Sequence, residues 1–76
     1  MMELRLIDPN SLPFPVDQLL DHGIKVVGTL PTGDLIVDCC GDVPDVGTVV
    51  ARGRNRYTQL PGWVGRNLTR HKWAGE

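Results

Sequence analysis

The chain has 76 residues, 41% of them hydrophobic and 22% charged, with a formal net charge of −1. A chain this short makes one domain, residues 1–76, and buries only about 60% of its unfolded surface, which leaves no room for a core plus a deep substrate cavity. The composition is globular rather than disordered, and with a single phenylalanine the core has to be aliphatic.

From the N-terminus, Glu3-Leu4-Arg5-Leu6-Ile7 alternates polar and apolar residues and predicts a first strand, stopped by Asp8-Pro9-Asn10. Pro13 and Pro15 hold the next residues extended. The one good helix signal follows over residues 15–22. Pro15 suits a first turn, Asp17 suits the positive end, Val16, Leu19 and Leu20 share a helical face, and Gly23 can close the end in a left-handed conformation. Ile24 to Leu30 and Leu35 to Cys40 are β-rich and flank Pro31-Thr32-Gly33-Asp34, which predicts a hairpin with a positive φ at Gly33. A turn-rich connection, Gly41 to Gly47, leads into Thr48-Val49-Val50-Ala51.

Beyond that strand the pattern allows two readings. Gly53-Arg54-Asn55 is expected to be the tip of a second hairpin with Arg56 to Leu60 as its return arm; the alternative is one strand with Arg52, Arg54 and Arg56 along a single face. Pro61-Gly62 ends the arm. Trp63 to Trp73 is weakly patterned, with one helical turn near Asn67 and last residues that fray. The fold class is therefore α+β, mainly antiparallel β: four or five short strands in hairpins, one short helix, and a core from Leu4, Leu6, Leu19, Leu20, Val26, Leu35, Val37 and Val49. An SH3-like, partly closed barrel is also compatible with the run of hairpins.

The charges are split along the chain. Residues 1–50 carry two basic against eight acidic side chains, a balance of −6, whereas residues 51–76 carry six basic against Glu76 alone, a balance of +5. Such a split bears on partners and steering rather than on fold. Tyr57, Trp63 and Trp73 lie in the basic part. The candidate binding residues are accordingly Arg52, Arg54, Arg56, Tyr57, Trp63, Arg66, Arg70, Lys72 and Trp73. Guanidinium groups grip phosphate or carboxylate in a fork, and aromatic rings stack on bases. The bland counterpart is a solvated face balanced by the chain's own aspartates, with at least one tryptophan closing the core. Asp34, Asp38, Asp42 and Asp45 read as an acidic stretch on turns, without the order of a calcium loop.

No catalytic set, cofactor or metal site is expected. Cys39 and Cys40 are adjacent, so with His22 and His71 they lack the spacing of a zinc site; one thiol should be buried and one exposed. No apolar run approaches the ~20 residues that cross a bilayer. The N-terminus lacks a secretory signal, and the cysteines suit a reducing compartment, so a cytoplasmic location is expected. These features point to a small binding protein that takes nucleic acid through its phosphates. The alternative is a protein-binding inhibitor or adaptor of the kind carried by phages and mobile elements. A third reading, a small ribonuclease-like toxin, rests on Arg70, His71 and Tyr57. Oligomeric state is left open.

Overall fold

Alternation along Leu35–Cys39 sends Leu35, Val37 and Cys39 to one side of a strand and Ile36 and Asp38 to the other, and all five are buried. A strand buried on both sides must be central and covered by a layer on each face. The structure, a computed structural model, describes residues 2–39 and 46–70. Its strands are β1 (Glu3–Ile7), β2 (Ile24–Thr29), β3 (Leu35–Cys39), β4 (Thr48–Arg52) and β5 (Thr69–Arg70). They form one antiparallel sheet in the order β4-β1-β3-β2-β5, with β3 in the middle. The sheet is open, not closed into the barrel that the hairpins also allowed: among the described residues β4 and β5 are its two edges.

The first face carries Ile7, Leu19, Ile24, Leu35, Val37, Cys39 and Val46, with Leu12, Phe14 and Val26 against them. Residues 9–22 cover it. Helical structure falls inside the expected span but as two 3-10 turns, Val16–Gln18 and Leu20–His22. Their bonds run to the third residue back, as in Gln18 N–H to Pro15 O at 3.0 Å and His22 N–H to Leu19 O at 3.0 Å. Three residues per turn align Leu19 with Val16 and His22 instead of with Leu20. Leu19 alone of these is buried; Leu20, expected in the core, is 61% exposed, and Val16 and His22 are exposed too. Gly23 ends the segment at φ 74°, and Phe14 stacks on His22 at 4.0 Å.

The second face carries Leu4, Val27, Leu30, Ile36, Ala51 and Val64, packed with Leu6, Val50, Leu60 and Leu68. Here the chain departs from the expected second hairpin. After β4 it turns at Gly53, Arg56–Gln59 winds into a 3-10 turn, and the chain crosses this face instead of returning as a strand. A six-residue helix, α1 (Gly62–Asn67), follows, earlier than the turn expected near Asn67. Two glycines make it a poor helix by propensity, and six residues are too few to hold alone. Val64, with no exposed surface, anchors it to the sheet. Trp63 lies outward, 48% exposed, so it does not close the core; Trp73 lies outside the described residues.

Strand β1 keeps its alternation, but its polar side does not face water. Glu3 is buried and accepts from Arg5 Nε at 2.7 Å, while Arg5 Nη1 donates to Val46 O at 2.9 Å. Leu6, Val26 and Val49 of the expected core are half-buried.

The first hairpin stands as expected: Leu30 N–H bonds Asp34 O at 2.8 Å, Gly33 N–H bonds Leu30 O at 2.9 Å, and Gly33 sits at φ 92°. A Cβ there would meet only open space, so a substitution reports backbone strain alone. Gly33→Val should cost about 1–2 kcal/mol, lowering the melting temperature by several degrees. An unchanged melt would contradict the turn.

Candidate functional site

Asp38 faces the second side of the sheet, opposite Leu4 on β1 and Lys25 on β2. A carboxylate buried there is costly unless charged and polar partners reach it. The 3-10 turn after β4 supplies them from adjacent residues. Arg56 donates from Nε to Oδ1 at 2.9 Å and from Nη2 to Oδ2 at 2.6 Å, a two-pronged pair. The Tyr57 hydroxyl donates to Oδ2 at 2.7 Å. The Arg56 and Asp38 side chains are only 12% and 8% exposed, and the guanidinium carbon lies 5.0 Å from the Tyr57 ring centre. Arg56 Nη1 also donates to Gly53 O at 3.2 Å, which ties the turn to its own start.

Two sequence expectations are thereby corrected. Asp38 is a strand residue inside the protein, not a solubilising turn carboxylate, and Arg56 is committed to it instead of standing with Arg52 and Arg54 on an open face. Tyr57 as a whole residue is 39% exposed. Partial burial, then the bond to Asp38 and the Asp38 charge, push the Tyr57 phenol up to about 12, against the opposing pull of Arg56 and Arg70. The phenol therefore stays protonated well above neutrality. His71 lies outside the described residues.

The other candidates are spread over several elements. Arg52 ends β4 opposite Glu3, whose carboxylate is already held by Arg5. Arg54 occupies the turn after β4. Arg66 lies on α1 and folds back, its Nη1 3.2 Å from where a Cβ on Gly62 would lie. Arg70 sits on β5 opposite Gly28 and close enough for its charge to act on Tyr57. That close approach needs a glycine: a Cβ on Gly28 would strike Thr69 O and come within 2.8 Å of Leu68 Cδ1. All four arginines are exposed, and among the described residues none has a carboxylate partner. Lys25, exposed beside Asp38 on β2, joins them; its place in the acidic half hid it from the sequence reading. Lys72 and Trp73 lie outside the described residues.

Trp63 borders a groove of about 240 Å³ with Leu30, Pro31, Thr32 and Asn67. The carboxylates of Asp8 and Asp34 belong to a second groove, of about 250 Å³, over Leu6, Ile7 and Leu12. The sheet also sorts the charges of its two covering segments. The segment on the first face presents Asp17 and Asp21, and the one on the second face presents Arg54 and Arg66. Asp42, Asp45 and Cys40 lie outside the described residues, and Cys39 is buried. Among the described residues no three His, Cys, Asp or Glu side chains gather as metal ligands, and no helix is long and apolar enough to cross a membrane. No protein family, curated protein or solved structure matches the chain.

Because Tyr57 is the only tyrosine, absorbance at 295 nm titrates it alone. Its ionisation should be displaced from 10 toward about 12, and Asp38→Asn should bring it back down. Raising the folded value favours the protonated native state, so the associated stability is intact below pH 10 and fades as pH climbs toward 12. An ordinary midpoint in the folded protein would contradict the Tyr57–Asp38 bond.

Proposed function

We propose that this is a non-enzymatic, cytoplasmic binding protein that takes nucleic acid through its phosphates on the second face of the sheet. One observation carries the reading. Once Arg56 is spent on Asp38, the exposed side chains Lys25, Arg54, Arg66 and Arg70 are of one sign and without ion-pair partners among the described residues. Single-signed exposed guanidiniums are what phosphate recognition uses, and they position a polyanion without reading its sequence. Arg52 extends the charge along the β4 edge, and Tyr57 and Trp63 offer ring faces beside it.

A specific observation favours a second reading, a protein-binding inhibitor or adaptor. Val16 and Leu20 are 46% and 61% exposed on the first face, flanked by Asp17 and Asp21. An apolar pair rimmed by carboxylates fits a partner with a basic rim.

Oligonucleotide binding measured across a salt series separates the two. Phosphate binding loses affinity linearly in log[salt], with a slope of about 0.7–0.9 per contact, so three or four contacts give a slope of about 2–4. Changing Arg54, Arg66 and Arg70 together to glutamate should leave the melt close to wild type, since exposed substitutions usually fall within about ±0.5 kcal/mol each. The same variant should lose binding. No oligonucleotide binding at low salt would overturn the reading, and partner capture abolished by Val16→Asp or Leu20→Asp would favour the second.

A further inference from the structure

We infer that the groove beside Trp63 seats an unpaired nucleobase, so that the second face takes single-stranded rather than paired nucleic acid. The inference rests on the phosphate-binding reading and deepens it. Trp63 is held in place without being buried: its neighbour Val64 is fully inside, and Asn67 Nδ2 donates to Trp63 O at 2.7 Å. That bond occupies a donor of the Asn67 amide and leaves its Oδ1 to accept from a base edge. Leu30, which is buried, lines a groove of about 240 Å³ together with Pro31, Thr32, Trp63 and Asn67.

The surrounding charge points to an anion-linked ligand rather than to an apolar peptide. No carboxylate lines this groove. Asp34, the nearest along the chain, accepts from the Thr32 hydroxyl at 2.9 Å and lines the other groove. Arg66, exposed on α1 three residues after Trp63, folds back toward Gly62. A flat apolar ring joined to phosphate satisfies both features, with the base against the indole and the phosphate toward the arginine. Bases in a duplex present only their edges, so a groove lined by an indole and a proline is open to a base only when it is unstacked.

The test uses the full chain with Trp73→Phe, which leaves Trp63 as the only fluorescent indole. It is titrated with a single-stranded oligonucleotide, the same sequence as a duplex, and an abasic strand of equal length. The single strand should quench Trp63 and bind about tenfold more tightly than the abasic strand, in line with the cost of losing one base–aromatic stack. The abasic strand should not quench. Trp63→Leu should weaken single-strand binding by about the same factor, leave abasic and duplex binding and the salt slope unchanged, and keep the wild-type melt. Single-strand binding with unchanged Trp63 fluorescence, or with full affinity in Trp63→Leu, would overturn the base seat while leaving the phosphate-binding face standing. Failure of all three nucleic acids to bind would overturn both. Quenching by an apolar peptide but by no oligonucleotide would assign the groove to a protein partner and also overturn both.

Discussion

A carboxylate lies in the middle of the sheet, and the rest of the second face is arranged around it. Asp38 is on the central strand, buried, with Leu4 and Lys25 across from it on the two neighbours. Leu4 offers no hydrogen bond, and Lys25 stays exposed. The charge is met instead by Arg56 and Tyr57, 18 and 19 residues further on. To deliver them the chain must leave β4 at Gly53 and wind over the sheet, which carries Leu60, Val64 and Leu68 onto the apolar positions beyond. A buried ion pair of this kind adds little net stability compared with a well-packed apolar substitute, because desolvation consumes most of the attraction. Removing one partner is another matter, since it strands a charge in the interior.

The same pair decides which arginines are left to act. Six basic residues follow position 50, and on composition they look equivalent. Folding withdraws Arg56 and leaves Arg52, Arg54, Arg66 and Arg70 in water, while the sixth, Lys72, lies outside the described residues. The first face meanwhile carries the exposed aspartates of its covering segment. Among the described residues the segment over the first face presents Asp17 and Asp21 and the one over the second face Arg54 and Arg66, so a protein whose net charge is nearly zero still sorts charge between its covering segments.

Much of the fold was legible because its signals are local. The β2–β3 hairpin rests on Pro31, Gly33 and the apolar runs beside them, and Gly23 ends the helical segment at the expected left-handed angle. The miss at Leu20 is that, of the apolar residues at 16, 19 and 20, only Leu19 turns inward. Arg56, Tyr57 and Asp38 were misplaced for a different reason. Their chemistry is a contact between distant residues, and an aspartate between Val37 and Cys39 looks like the start of a turn until its partners are known. Trp63 defeated the rule that a large aromatic belongs in the core, because Val64 beside it, smaller and fully buried, already fills that space. The exposed arginines and the two aromatics were visible as types; which of them face water was not.

The account depends most on the Asp38–Arg56 pair, and a double-mutant cycle with Asp38→Asn and Arg56→Gln tests it directly. Each single change should cost about 3 kcal/mol, as expected for a buried pair that loses one member. The double variant should cost less than their sum by about 1–3 kcal/mol, the coupling of residues in direct contact. A control cycle of Asp38→Asn with the exposed Arg54→Gln should be additive within about 0.5 kcal/mol. If Arg56→Gln is as harmless as Arg54→Gln, or the Asp38–Arg56 cycle is additive, the pair does not organise the second face and Arg56 belongs with the surface arginines after all.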